Sequence, residues 1–415
     1  MPPRPLRLLA DANIPFLHKA FDRYGSVEVR PGAEILPGTL SETDILLVRS
    51  VTPVNEALLA GTPVRFVGTA TAGTDHIDTN WLASQGIAFA SAPGSNAQSV
   101  VEYVLAALFY MQGGPAGWAF RGKTVGVVGC GQVGGRLRKR LPHLGFRVLA
   151  CDPPLSEAAE ARGEPHDFVS LQTVLDEADI ITLHTPLTRD GPHPTHHLIG
   201  LRELIRLERR GVDRNVLLIN AARGAVVDNK ALRDVLRDGI LAGAILDVWE
   251  NEPTPDPELV RLALVATPHI AGYAYDGKVA GTTMLVDALD AWLQAHPQEA
   301  GRIPARIPAK WDAEDVLGSD GQRLLEGPFW GGPDGNLSDG IVGYLLRRVY
   351  DLSADDARFR KLLDLPSTEH AAYFRDLRKT YPKRRHFDRF TVDHHLPDYL
   401  SDAVTKGLGL QIEQR

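Results

Sequence analysis

Cysteine is almost absent from this chain: there are 2 in 415 residues, Cys130 inside a glycine-rich turn and Cys151 at the end of an apolar run. A disulfide scaffold and a thiolate zinc centre are therefore excluded as organising devices, and both thiols read as small buried side chains. No apolar run approaches the ~18 residues that a bilayer crossing requires, and the N-terminus lacks the apolar core of an export signal. The cytoplasm is the default location. Positive charge is not in excess either. The 45 Lys and Arg against 52 Asp and Glu leave a formal charge of −7, which argues against nucleic acid or an anionic membrane as a partner. What is present is ordinary for a globular protein: 44% hydrophobic and 23% charged residues, over a length that suggests two or three domains.

The most informative stretch is Val128-Gly129-Cys130-Gly131-Gln132-Val133-Gly134, which follows the apolar run Thr124 to Val128 and precedes a helical pattern. It reads as a dinucleotide-binding turn. Gly129 permits the tight turn, Gly131 lets the backbone approach a pyrophosphate, and Gly134 lets the next helix pack on its strand, while Gln132 and Val133 lie at the opening of that helix. Such a turn alone is weak evidence. A second apolar run, Phe146 to Cys151, ends in Asp152, about 18 positions beyond Gly134. That carboxylate can accept both ribose hydroxyls and repel a 2′-phosphate, which favours NAD over NADP. The plainer reading of Asp152 is a strand-end residue opening the Asp152-Pro153-Pro154 turn.

Periodicity sets the organisation. Runs at Leu6 to Ala10, Asp44 to Val48, Arg65 to Thr69 and Ile87 to Ala90 predict buried strands of a parallel α/β unit, followed by a long helix from Asn96 to Met111. From Thr124, six further strands are predicted, at Thr124 to Val128, Arg147 to Cys151, Asp179 to His184, Asn215 to Asn220, Ala242 to Val248 and Leu264 to Ala266. With helices at Leu171 to Glu177, Leu198 to Leu207 and Asn229 to Asp238, they suit one doubly wound domain. A helix is predicted from Gly277 to Ala295. Connections follow at His296 to Pro308 and Gly327 to Gly340, and the tail predicts a smaller α+β domain, with helices at Ser338 to Tyr350, Ala354 to Leu363 and His370 to Lys379. The basic run Lys383-Arg384-Arg385 reads as a solvated face.

In open α/β sheets ligands bind at the carboxyl ends of strands, and here those ends are polar. They are Thr185-Pro186, Arg223-Gly224, Asp247 with Glu250 and Glu252-Pro253, and His269-Ile270-Ala271-Gly272-Tyr273. Singly, each reads as a solvated, ion-paired or structural side chain. Jointly, Arg223, Glu252 and His269 form a set suited to oxidising a 2-hydroxy acid. His269 takes the hydroxyl proton, Glu252 fixes its tautomer, and Arg223 holds the carboxylate by two parallel hydrogen bonds. No metal site is expected.

The segments Asn220-Ala221-Ala222-Arg223-Gly224, Asp247 to Pro253 and Thr267 to Gly272 resemble signatures of the D-isomer-specific 2-hydroxyacid dehydrogenases, over about residues 1 to 295. The resemblance implies that Arg223, Glu252 and His269 are the catalytic triad. It also implies two doubly wound parallel-sheet domains, a flavodoxin-like substrate domain (1–95 and 276–296) and a Rossmann NAD domain (96–275), plus a C-terminal α+β dimerisation domain (297–415). Val48 to Thr52, Gly68 to His76, Asp190-Gly191-Pro192, Gly272-Tyr273 with Asp276-Gly277-Lys278, and the tail segments Val349-Tyr350-Asp351 and Leu377-Arg378-Lys379 are similar to a branch of that family that takes a small phosphorylated 2-hydroxy acid and forms a homodimer. For that branch Ser50, Thr71 and Tyr273 contact substrate, and Asp152, Thr185, Asp247 and Gly272 contact NAD. Arg49 beside Ser50 is a further donor, suited equally to a carboxylate or a phosphate. A family member acting on phosphoglycerate, glyoxylate or hydroxypyruvate, and a non-catalytic NAD-sensing protein, stand as alternatives. From Asp393 onward the tail departs from the branch's pattern.

Overall fold

The computed structural model describes residues 4–110, 122–208, 216–304, 311–317, 323–325, 337–392 and 400–413. The chain divides into two compact units, Met1–Ala97 with Ala274–Gly321, and Gln98–Tyr273 with Gln322–Arg415.

The first unit is built on five parallel strands, β1 (Leu6–Asp11), β2 (Gly25–Arg30), β3 (Ile45–Val48), β4 (Phe66–Thr69) and β5 (Ala88–Ala90), in the order β2-β1-β3-β4-β5. The Ile-Leu-Leu-Val run of β3 is buried along its whole length, as a central parallel strand covered on both faces must be. Strand β2 was not predicted. It lies at the sheet edge and its Gly-Ser-Val-Glu-Val-Arg sequence is largely exposed, so it lacks the apolar run by which its neighbours are recognised. The Tyr275–Ala295 helix belongs to this unit and buries Val279, Leu285, Leu289 and Trp292 in one cluster with Leu6, Leu8 and Phe66.

The second unit holds six parallel strands, β6 (Thr124–Val128), β7 (Arg147–Cys151), β8 (Ile180–Leu183), β9 (Leu217–Asn220), β10 (Gly243–Leu246) and β11 (Val265–Ala266), in the order β11-β10-β9-β8-β6-β7. A single bridge from Ala150 to Phe168 extends the sheet beyond β7. The order therefore reverses between β6 and β8, and in such sheets a ligand crevice opens at the carboxyl ends flanking the reversal. The helix Pro153–Ala161 replaces the turn expected at Asp152-Pro153-Pro154. Proline at the first helical position removes only an N–H that has no helical partner, and Asp152 Oδ1 caps the helix through the Leu155 N–H at 3.1 Å.

The tail falls in the same compact unit as residues 98–273. Residues 322–415 carry three short parallel strands, β12 (Arg323–Leu325), β13 (Phe390–Val392) and β14 (Gln411–Ile412), in the order β12-β13-β14. Strands this short cannot enclose a core of their own. Instead Ile341, Leu345, Phe387 and Leu408 join Val101, Leu105 and Val127 in one buried cluster, and Phe359 and Phe374 join Trp249 and Leu259 in another. The basic run is corrected on the same ground. Arg384 and Arg385 are buried, and the Arg384 guanidinium donates to the carbonyls of Ser99 and Ala271 and lies 4.4 Å from the Tyr350 ring centre. Most of the connection expected at 327–340 and the start of the divergent tail at Asp393 lie outside the described residues.

Candidate active site

At the end of β6, Gly129 adopts φ 86°, and a Cβ there would sit 2.7 Å from the His184 carbonyl carbon and 2.8 Å from the Thr185 nitrogen. The turn is thus pressed against the end of β8, and only glycine fits. A Cβ on Gly134 would lie 1.9 Å from the Gly129 carbonyl oxygen, so the Gly134–Arg140 helix starts in direct contact with the turn. Gly131 differs. A Cβ there would meet nothing within 4 Å, so its backbone faces open space, flanked by the exposed Gln132 and the half-buried Val133.

Two features complete this cradle. Thr185 Oγ1 is buried without a hydrogen-bond partner among the described residues, and a buried hydroxyl in that state is suited to a ligand. Asp152 has two partners of its own. Its Oδ2 accepts from the Cys130 N–H at 2.7 Å while Oδ1 caps the next helix, so one carboxylate fixes the turn and still offers lone pairs to a diol. The Asp152 charge is also one cause, after burial, of the raised Cys130 thiol, at about 12. The open backbone at Gly131, the unpartnered hydroxyl of Thr185 and the carboxylate of Asp152 fit a dinucleotide.

The ends of β9, β10 and β11 carry the acid–base set. Gly224 passes so close to the next loop that a Cβ would lie 1.9 Å from the Trp249 carbonyl carbon, which brings the Arg223 loop against the loop that bears Glu252. Arg223 is half-buried and its Nη1 donates to the Ala222 carbonyl at 2.9 Å. Glu252 Oε1 accepts from the Trp249 N–H at 2.9 Å, and Oε2 lies 2.8 Å from His269 Nδ1. Burial pushes the Glu252 carboxyl upward. The charge of His269, hydrogen bonds from His269 and the Trp249 N–H, and the charge of Arg378 outweigh it, so the group is held below its ordinary value and stays ionised. With Nδ1 on Glu252, the nitrogen left for a substrate hydroxyl is Nε2.

His269 itself sits at φ 58°, a left-handed conformation that a non-glycine residue keeps only when its surroundings impose it. Asp247 imposes it. Its carbonyl accepts from the His269 N–H at 2.7 Å, and its carboxylate, 1% exposed, accepts from Thr267 Oγ1 and from the N–H groups of Ile270 and Ala271 at 2.7 to 2.9 Å. Burial raises this carboxyl, and the charge of His269 and those three donors work against the rise. In the structure Asp247 is therefore the brace of the histidine loop.

That loop continues through Gly272 to Tyr273, whose N–H donates to the Ile270 carbonyl at 2.9 Å. The Tyr273 ring packs edge-on to Tyr381 at 6.0 Å and carries the Arg378 guanidinium 5.3 Å from its centre. The tail also reaches the loop through Asp356, which accepts from the Ala266 N–H at 2.7 Å, and through the Arg384 bond to the Ala271 carbonyl. The place of these tail residues beside the loop follows from packing across about a hundred residues of sequence.

In the first unit, Arg49 and Ser50 follow β3, and Thr71 follows β4. Arg49 Nη1 donates to the carbonyl of Asn13, just beyond β1, and so lies where that sheet's order reverses. Ser50 is exposed, while Thr71 Oγ1 bonds to Thr69 Oγ1 at 2.7 Å and to the Gly73 carbonyl at 2.9 Å. One group of metal-capable side chains occurs among the described residues, His196, His197 and Glu250. Glu250 already accepts from the Asn229 N–H at 3.0 Å and lies 2.7 Å from His197 Nε2, so the group reads as a brace for the 249–252 loop.

Comparison with known proteins gives the family and the fold. Residues 100–271 match the family "D-isomer specific 2-hydroxyacid dehydrogenase, NAD binding domain", and 333–407 match a "Domain of unknown function (DUF3410)". Solved structures share the fold. A D-lactate dehydrogenase from Aquifex aeolicus complexed with NAD and lactic acid aligns with TM-score 0.56 at 24% identity, covering 73% of this chain and 100% of that one. An NAD-dependent formate dehydrogenase from Staphylococcus aureus aligns with TM-score 0.55 at 21% identity, covering 73% and 100%. The chain belongs to the D-isomer specific 2-hydroxyacid dehydrogenases, a family of NAD-dependent oxidoreductases. Within that family its relatives include a protein of Salinibacter ruber, 48% identical over 98% of this chain and 99% of its own length. A second, from Pseudomonas aeruginosa, is 48% identical over 92% and 93%, and both are named erythronate-4-phosphate dehydrogenase.

Proposed function

We propose that this enzyme oxidises 4-phospho-D-erythronate to 2-oxo-3-hydroxy-4-phosphobutanoate, a step toward pyridoxal 5′-phosphate (vitamin B6). The contact between Glu252 Oε2 and His269 Nδ1 at 2.8 Å, on a loop braced by buried Asp247, carries the chemistry. The names of relatives 42–48% identical over nearly the whole chain support the substrate. Gly129, Gly131, Gln132, Val133, Gly134, Asp152, Thr185, Asp247 and Gly272 hold NAD, which when bound supplies the hydride acceptor. His269 Nε2 takes the C2 hydroxyl proton, and Glu252 stabilises the imidazolium that results. Arg223 holds the substrate carboxylate and polarises the C2 oxygen. Ser50, Thr71, Arg49 and Tyr273 contact the remainder of the substrate, and the protein works as a homodimer through its C-terminal region.

The test is NADH absorbance with purified protein and a panel of 2-hydroxy acids, phosphorylated and not. Turnover with 4-phospho-D-erythronate in preference to 3-phosphoglycerate and glycolate supports the assignment. Silence across the panel with NAD still bound points to a non-catalytic NAD-sensing protein. Light scattering after size exclusion checks the dimer.

A further inference from the structure

Among the described residues, two ties join the histidine loop to the helix Ala97–Tyr110. At the first, Thr267 Oγ1 lies 2.8 Å from the Tyr103 hydroxyl and 2.7 Å from Asp247 Oδ1. Thr267 has one hydroxyl hydrogen and a carboxylate only accepts, so the bonds run from Tyr103 to Thr267 and from Thr267 to Asp247. That chain fixes the carboxylate which receives the Ile270 and Ala271 N–H groups.

The second tie comes from the tail. Arg384 is buried with its guanidinium 4.4 Å from the Tyr350 ring centre, and the Tyr350 hydroxyl is itself held by a 2.8 Å bond to Asp355. Arg384 Nε and Nη1 have no hydrogen-bond partner among the described residues, so the directed bonding falls on Nη2. That nitrogen donates to two carbonyls, those of Ser99, in the first turn of the helix, and of Ala271. Ala271 is thus held on both sides, its N–H by Asp247 and its carbonyl by Arg384.

A buried cation is weak evidence for stability, because lost hydration offsets what its contacts return. What this one supplies is geometry. Its neighbours in the chain extend the tie, since His386 Nε2 meets Ser99 Oγ at 2.9 Å and the Phe387 N–H donates to Glu102 at 2.8 Å. Ser99 and Ala271 also lie within three residues of two places where the chain passes between the units, after Ala97 and after Tyr273. One guanidinium therefore joins both passages on the side of the second unit.

We propose that Arg384 is a positioning residue for the oxidation: by tying Ala271 to Ser99 it fixes the loop that carries His269, a role that rests on His269 as the base. Without the tie, the backbone after His269 is anchored through Asp247 alone, and the imidazole strays from the C2 hydroxyl.

Steady-state kinetics and backbone hydrogen exchange of R384M and R384K test this. Methionine keeps an apolar stem without a donor, and lysine keeps the charge. In R384M, kcat with 4-phospho-D-erythronate is expected to fall by about 10- to 100-fold while KM changes less than roughly threefold, and R384K recovers part of the loss. Exchange speeds up by roughly tenfold or more in residues 270–273 and 98–102, while β6 and β7 keep their native protection. A native kcat overturns the proposal, as does a rise in KM with kcat unchanged. Faster exchange throughout the unit also overturns it, because Arg384 would then only stabilise the fold. If R384M does not fold, R384K alone decides, by the same local gain in exchange and a fall in kcat of roughly threefold or more. If the native enzyme does not turn over 4-phospho-D-erythronate, the substrate reading fails. Exchange of the NAD-bound protein then still tests the tie: faster exchange confined to the loop and the helix start supports it, and native exchange there overturns it.

Discussion

In the second unit, the loops after β10 and β11 are tied by two carboxylates, Asp247, which is buried, and Glu252, which is half-buried. Asp247 accepts from Thr267, Ile270 and Ala271, and Glu252 accepts from Trp249 and meets His269. In the first unit, the loops after β3 and β4 present Ser50, Arg49 and Thr71, whose side chains stay wholly or partly exposed; Arg49 donates to the Asn13 carbonyl and Thr71 bonds to Thr69 and the Gly73 carbonyl. Both sets stand at the carboxyl ends of parallel strands, so topology alone does not separate them. The difference lies in what each must do. A proton-transfer group has to be held in one geometry, whereas groups that receive a substrate can adapt to it.

The largest expected effect is on the rigid side. His269→Ala removes the base and lowers kcat by at least ~10²-fold with the fold intact by circular dichroism; near-normal turnover would sink the acid–base assignment. Next, Asp247→Ala leaves the Thr267 hydroxyl and two buried N–H groups without their acceptor, at a cost of about 3 kcal/mol or more in urea unfolding, with turnover falling alongside. Unchanged stability would mean that the brace is not what holds His269 at its left-handed φ.

On the adaptable side, Ser50→Ala and Thr71→Val are expected to raise the substrate KM while changing stability by less than ~1 kcal/mol. A stability loss as large as that of Asp247→Ala would erase the contrast. A separate, pH-dependent effect concerns Glu102, a wholly buried carboxyl beneath the tail, raised by burial to about 8 despite bonds from the Phe387 N–H and Gln98 and the charge of Arg384. Its folded value lies above its ordinary 4.5, so its contribution is fully present below that pH and is lost as pH rises toward about 8. Glu102→Gln should therefore gain stability relative to the native chain between about pH 5 and pH 8, measured by urea unfolding at each pH; parallel curves would contradict the raised value.

Much of this was legible in residue order. Strands β1 and β3 to β11 announce themselves by their apolar runs, and the turn by Gly129 and Gly134, where close backbone approach admits only glycine. Edge strand β2 was illegible for the complementary reason, since exposure removes its apolar signal. The helix at Pro153 was hidden because proline reads as a turn until Asp152 is seen to cap it. The burial of Arg384 and Arg385 ran against the usual reading of a basic run, because carbonyl acceptors and a tyrosine face replace water around them.

Local pattern sufficed for the dinucleotide turn, the parallel sheets and the nomination of Arg223, Glu252 and His269, since each depends on residue type and short-range spacing. It could not show that Asp247 braces the histidine loop, that Asp152 both pins the glycine turn and caps a helix, or that Arg378 comes to rest over Tyr273. Those are contacts between residues up to about a hundred positions apart. They exist only once the chain has folded, and the tail's contact exists because its apolar side chains share buried clusters with the dehydrogenase unit.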